Sequence, residues 1–110
     1  ISHSKGWFAV YVSSHPVGID IEVENLRIKE GASYFVNEHE QSFVGSLTDL
    51  HLIWGAKEAF YKLKEGMISD LKNEVTLLAI EPGNRLQVEF GEEVYTLYYH
   101  RENGVTLVLT

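Results

Sequence analysis

Residues 49–65 read DLHLIWGAKEAFYKLKE, the segment with the strongest features of a single long helix. Thr48 before it is a suitable N-cap residue, and Gly66 after it is a typical C′ residue. We therefore predict one long helix here and place the other elements around it. The apolar bulk on this helix comes from Leu50, Ile53, Trp54, Phe60 and Leu63.

Two β-hairpins are predicted after the helix. Pro-Gly within residues 81–84 and Asn-Gly within residues 102–104 mark tight turns. The flanking segments are rich in β-branched and aromatic residues, which favours strands. The four predicted strands cover residues 75–80, 86–90, 94–100 and 105–109.

Strands are also predicted before the helix. Residues 7–13 are aromatic and β-branched, and residues 17–22 alternate apolar with polar side chains. Residues 28–35 and 38–44 predict two short helices, the second capped by Asn37. The expected class is α+β, a single domain over residues 1–110 in which an antiparallel sheet packs against one long helix and short helices.

Composition excludes several classes of protein. The chain has 110 residues, which suits one domain, and its formal net charge of -7 disfavours nucleic-acid binding. No apolar run approaches the roughly 20 residues that span a bilayer, so no membrane association is expected. The absence of cysteine fits a reducing compartment, and we expect a cytoplasmic protein.

Two carboxylates stand at alternate positions of one predicted strand. Asp20 and Glu22 share a face, because side chains two apart on a strand point the same way. Oxygen ligands suit magnesium, and Gly18 on the same face is expected to leave room for a ligand. The same alternation also fits the solvent-facing side of an ordinary half-buried strand.

A second polar cluster lies on the long helix. Glu58 and Lys62 are four residues apart and share a helix face, with Lys57 beside them. A carboxylate can bind metal or accept a proton, and a lysine can hold a phosphate. The pair is equally compatible with a surface ion pair, and Ser2-His3-Ser4 fits either a phosphate-binding element or a polar terminus.

Taken together, the clusters resemble a known enzyme family. GIDIE at residues 18–22 and WGAKEAFYK at residues 54–62 resemble the two signature motifs of the 4′-phosphopantetheinyl transferases. SHS at residues 2–4 resembles the conserved entry of the larger, surfactin-synthetase-activating type. The order and approximate spacing of all three motifs fit.

The resemblance implies a role for each matching residue. Asp20, Glu22 and Glu58 match the magnesium-binding acids, and Glu58 also matches a residue proposed to deprotonate the carrier-protein serine. Lys62 matches a catalytic lysine near the transferred phosphate of coenzyme A. The remaining residues implied to contact coenzyme A are Ser2, His3 and Lys57.

The implied reaction is magnesium-dependent transfer of the 4′-phosphopantetheine group from coenzyme A to a serine of an acyl or peptidyl carrier protein. The likeness covers only the second half of the larger type. It therefore implies either an N-terminal half or a homo-oligomer that completes the coenzyme A cleft. The alternative is a non-catalytic domain of the same fold that serves binding or assembly.

Overall fold

A computed structural model describes residues 2–4, 7–9 and 17–110 of the chain. A five-stranded antiparallel sheet packs against one long helix and several short ones, which confirms the predicted α+β class. The strands are β1 (Ser2–Ser4), β2 (Trp7–Ala9), β3 (Ile19–Val23), β4 (Val75–Glu81), β5 (Arg85–Phe90), β6 (Glu93–Glu102) and β7 (Val105–Leu109). The helices are α1 (Ile28–Gly31), a 3₁₀ turn (Ala32–Tyr34), α2 (Glu38–Gln41), α3 (Leu47–Leu63) and α4 (Leu71–Glu74).

The strands of the larger sheet lie in the order β3-β7-β6-β5-β4. Both predicted hairpins are present, one formed by β4 and β5 and the other by β6 and β7. Asn103 and Gly104 have φ values of 50° and 74°, as a tight hairpin turn with two left-handed residues requires. The antiparallel pairing of β7 with β3 brings the end of the chain beside the acidic strand. No helix in the described ranges is both long and apolar enough to cross a membrane.

The long helix begins two residues before the predicted start. Ser46, rather than Thr48, is the N-cap: its backbone is extended and its hydroxyl accepts a hydrogen bond from Asp49 N at 3.1 Å. Thr48 already lies inside the first turn, so α3 runs from Leu47 to Leu63. The prediction that Asn37 caps a helix is confirmed, because its side chain accepts from Glu40 N at 3.0 Å.

The core lies between α3 and the larger sheet. Side chains from the helix pack against inward-facing residues of the sheet, and this burial supplies the main driving force for folding. Core residues with no exposed surface are Ile53, Ala56, Ala59 and Phe60 of α3 and Val75, Leu77, Leu86, Val88, Leu97 and Val108 of the sheet.

Two glycines let α3 approach the sheet closely. A Cβ on Gly18 would lie 1.7 Å from Ala59 O, and a Cβ on Gly55 would lie 2.7 Å from Val108 Cγ2. The expectation that Gly18 leaves room for a ligand is therefore wrong, because the helix backbone takes that space. The helix crosses directly over β3 and β7, and the side chains of α3 meet those of the acidic strand.

Candidate functional site

The acids of β3 face the long helix. Asp20 is only 3% exposed, although it belongs to a strand whose polar side chains could have faced solvent. Lys62 of α3 donates hydrogen bonds to Ile19 O at 3.0 Å and to Asp20 Oδ1 at 3.3 Å. The contact joins a residue of the first predicted cluster to one of the second, across 42 positions of sequence.

Glu22 has an unusual electrostatic environment. Partial burial, the neighbouring charge of Asp20, a hydrogen bond to Asp20 and the charge of Glu58 raise the pKa of Glu22 to about 7. A hydrogen bond from the Trp54 indole opposes this increase. At neutral pH the Glu22 carboxyl is therefore poised between its protonated and ionised forms.

Glu58, which lies on α3, has a similar electrostatic environment. Burial first, and then the negative charge of Asp20, raise the pKa of the Glu58 carboxyl, while the ammonium group of Lys62 lowers it. Asp20 thus influences both Glu22 and Glu58, and the three carboxyl groups share one neighbourhood. The structure also brings Lys62 to this cluster, so four of the predicted site residues lie together.

A cation fits this cluster electrostatically. Three partly or fully buried carboxyl groups repel one another when ionised, and a divalent ion with oxygen ligands would relieve that repulsion. Within residues 17–110, however, no three acidic or histidine side chains form a ready-made metal site. Glu22 and Glu58 are both partly exposed, so rotation of their side chains would have to complete the coordination.

The repulsion between these carboxyl groups predicts that the stability of the fold depends on pH. A carboxyl group whose folded-state pKa is raised stabilises the fold only while it stays protonated, so stability falls as pH rises from about 4.5 to about 7. We expect Glu22→Gln to remove part of this decline. Because Glu22 is partly solvent-screened, the difference should be on the order of 1 kcal/mol at pH 8, or roughly 4–8 °C in Tm.

Thermal unfolding between pH 5 and pH 8 measures this effect. Glu92→Gln is the matched control, because Glu92 is exposed at the β5–β6 turn, and its Tm profile should follow that of the unsubstituted chain. Saturating Mg²⁺ should raise the Tm of the unsubstituted chain more at pH 8 than at pH 5. A Glu22→Gln profile parallel to that of the unsubstituted chain would contradict the prediction.

Lys57 lies elsewhere, which corrects the expectation that it contacts phosphate. Its ammonium group has no exposed surface and donates hydrogen bonds to Phe35 O at 2.6 Å, Glu40 Oε1 at 2.7 Å and Lys72 O at 2.8 Å. Burial lowers the pKa of Lys57, and Glu40 opposes that shift. With all three ammonium donors used inside the protein, Lys57 is a core residue that joins α3 to α2 and to α4.

Glu40, the partner of Lys57, is equally buried. Its Oε1 accepts from Asn37 N at 3.0 Å, and its Oε2 accepts from Leu77 N at 2.6 Å. In the sequence, Glu40 differs from its exposed neighbour Glu38 only by its N3 position in a helix capped by Asn37. That position indicates a capping box rather than a buried ion pair.

The backbone of Ser2 and His3 forms part of β1, which pairs with β2. Their side chains lie outside the described part of the chain, as do residues 10–16, which include the end of the predicted strand over residues 7–13. The implied contacts of Ser2 and His3 with coenzyme A stay predictions.

Trp54 has a polar role that the sequence interpretation did not include. Its ring packs 5.1 Å from that of Phe35, as expected of a core aromatic, and a side-chain interaction with its indole also lowers the pKa of Glu22. The available signal was its position one helical turn before Glu58, since residues four apart share a helix face. Trp54 thus influences the electrostatics of one of the three acids.

Comparison with known proteins is consistent with this geometry. The family model of the 4′-phosphopantetheinyl transferase superfamily matches the sequence of residues 16–107. A curated relative, the 4′-phosphopantetheinyl transferase gsp of Aneurinibacillus migulanus, is 32% identical over 71 residues. The match covers 56% of this chain and 29% of that protein, so less than a third of the relative's length is matched.

Proposed function

Since the chain belongs to the 4′-phosphopantetheinyl transferase superfamily, we propose that it is the metal-binding, catalytic part of a transferase that moves the 4′-phosphopantetheine group from coenzyme A to a carrier-protein serine. The partner would be an acyl or peptidyl carrier protein, and the setting cytoplasmic. The observation that carries the proposal is the convergence of Asp20 and Glu22 from β3 with Glu58 from α3.

The three acids are suited to a magnesium ion. Asp20, Glu22 and Glu58 would hold it, and their mutual repulsion gives the site a physical preference for a cation. When bound, the ion would neutralise charge on the pyrophosphate of coenzyme A and on the leaving 3′,5′-adenosine bisphosphate. Lys62 already neutralises part of the charge of Asp20 and would add positive charge near the same phosphates.

Glu58 is the proposed general base. As the serine oxygen bonds to phosphorus and the pyrophosphate P–O bond breaks, the serine proton must be accepted. The raised pKa of Glu58 makes its ionised form a stronger base than an ordinary glutamate, and its partial exposure leaves it accessible to a partner.

The match covers only 29% of the relative's length, and we propose that further protein completes the coenzyme A cleft. Either an N-terminal half or a second copy of this chain would supply it. A solution mass measured with and without coenzyme A distinguishes the two sources. A dimer that forms with the substrate would favour self-assembly.

Transfer of labelled phosphopantetheine from coenzyme A to a panel of apo-carrier proteins tests the proposal. We expect transfer that requires Mg²⁺ and that Glu58→Gln lowers by roughly 100-fold or more, because a positioned general base contributes about that much. The rate is followed by the mass shift of the carrier.

The controls separate chemistry from folding. Glu65→Gln, just past the end of α3 and exposed, should keep the transfer rate of the unsubstituted protein. Glu58→Gln should keep or raise the Tm, because it removes a carboxylate from a repulsive cluster. Coenzyme A binding without transfer to any carrier would overturn the proposed activity and favour a binding role.

A further inference from the structure

A third acid continues the series on β3. Asp20, Glu22 and Glu24 are spaced two residues apart, so all three side chains belong to the same face of an extended strand. Glu24 follows the last residue of β3, and its amide donates to Gly104 O at 2.7 Å. The strand geometry therefore persists to Glu24, and its carboxylate lies on the side of the sheet where the ion site is proposed.

Arg101 holds the Glu24 carboxylate. Its Nη2 donates to Glu24 Oε1 at 2.9 Å, its Nη1 donates to Thr48 Oγ1 at 2.9 Å, and its Nε donates to Thr106 Oγ1 at 2.9 Å. The side chain of Arg101 is 25% exposed and that of Glu24 is 42% exposed, so this is a partly buried ion pair with fixed geometry. A planar guanidinium anchored at three points holds its partner in one place, which a lysine could not do.

The register of the sheet relates this pair to the site. Thr106 of β7 pairs with Glu22 of β3 on one side and with Arg101 of β6 on the other. The guanidinium binds Glu24 and Thr48 together, so it holds the Glu24 carboxylate near the start of α3. Glu58, the helix acid of the site, lies farther along α3.

We propose that Arg101 is a positioning residue that keeps Glu24 out of the ion site and so favours Mg²⁺ over Ca²⁺. The proposal rests on the proposed function, because it assumes that Asp20, Glu22 and Glu58 bind the ion. Mg²⁺ requires a compact octahedral shell and is bound by few carboxylates, whereas Ca²⁺ accepts six to eight oxygens in a looser shell. An additional carboxylate near Glu22 would therefore favour Ca²⁺.

Competition for bound Mn²⁺, followed by electron paramagnetic resonance, tests the proposal without any transfer assay. Mg²⁺ or Ca²⁺ is titrated against the Mn²⁺ complex, and the two competition constants are compared as a ratio. We expect Arg101→Met to shift this ratio toward Ca²⁺ on the order of tenfold, the lower end of effects from groups that orient metal ligands. Removing the positive charge of Arg101 should raise the affinity for every cation. The ratio of the two competition constants cancels this general effect.

A second substitution separates positioning from structural damage. Arg101→Met combined with Glu24→Gln should return the ratio to that of the unsubstituted chain, because no additional carboxylate remains. Arg85→Met removes an exposed arginine from β5 and should leave the ratio unchanged. If Arg101→Met does not fold, Arg101→Gln, which keeps a hydrogen-bonding side chain opposite Thr106, should show the same direction of shift.

The outcomes distinguish this inference from the proposed function. No Mn²⁺ binding to the unsubstituted protein would contradict the ion site itself and the inference with it. Mn²⁺ binding with an unchanged ratio in the Arg101 variants would overturn only the role of Arg101. A shifted ratio that Glu24→Gln does not reverse would also overturn it, since the released carboxylate would then not be the cause.

Discussion

Replacing Lys57 with Met should destabilise the fold by about 3–5 kcal/mol, the usual effect of removing one partner of a buried ion pair. The ammonium group has no exposed surface and lies 2.7 Å from Glu40 Oε1. Met preserves most of the side-chain volume, so the loss reflects charge and hydrogen bonding rather than a cavity. The urea dependence of unfolding, followed by circular dichroism, measures the change.

The size of this effect follows from what remains after the substitution. The Glu40 carboxylate would keep its bonds from Asn37 N and Leu77 N but would lose its cation, and the carbonyls of Phe35 and Lys72 would lose a donor. A domain is typically stable by only about 5–15 kcal/mol, so this loss is a large fraction of the total.

Two variants test this explanation. Lys29→Met removes an exposed lysine from α1 and should change stability by less than about 0.5 kcal/mol. Lys57→Met combined with Glu40→Gln should be less destabilising than the sum of the two single changes, because no uncompensated charge stays buried. Strict additivity of the two changes would show that the pair is not coupled and would refute the explanation.

Periodicity and turn chemistry predicted most of the fold. The long helix, both hairpins after it and the acidic strand follow from patterns that extend over five or more residues. The N-cap of α3 was misplaced because Ser46 and Thr48 are both suitable capping residues, and only the backbone conformation distinguishes them. The pairing of β3 with β7 joins residues far apart in sequence, and no local pattern encodes it.

For the site, the sequence grouped Glu58 and Lys62 correctly but misplaced Lys57. Glu58 and Lys62 are four residues apart, and the helix brings both to the acids of β3. Lys57 is adjacent to Glu58 in sequence but about 100° away around the helix, so it points to a different neighbour. Motif resemblance grouped the three residues, whereas helix geometry separates Lys57 from the other two.

Gly18 was misinterpreted for a related reason. A glycine beside two carboxylates suggests space for a ligand, and sequence alone cannot show which element fills that space. In the fold it is the backbone of α3, at Ala59 and Leu63, that lies over Gly18. The glycine thus sets the separation of helix and strand on which the meeting of Asp20 with Lys62 depends.

Gly18→Ala should therefore be more damaging than an ordinary overpacking substitution, which costs about 1–3 kcal/mol. The added Cβ would lie 1.7 Å from Ala59 O and 3.0 Å from Leu63 N, and both are backbone atoms that no rotamer change can move. Either α3 shifts away from β3 or the fold is lost. We expect urea unfolding to show a loss above about 3 kcal/mol.

A glycine in open space supplies the matched control. A Cβ added to Gly31, at the end of α1, would have no atom within 4 Å, so Gly31→Ala should keep or slightly raise stability. If Gly18→Ala remains folded, the displaced helix should separate Lys62 and Glu58 from Asp20, and the pKa of Glu22, measured by NMR titration, should fall from about 7 toward that of an ordinary glutamate. Burial is the largest cause of the raised pKa of Glu22, and a displaced α3 would reduce that burial. A Gly18→Ala chain with unchanged stability and an unchanged Glu22 titration would therefore refute the packing of α3 against β3 on which the site depends.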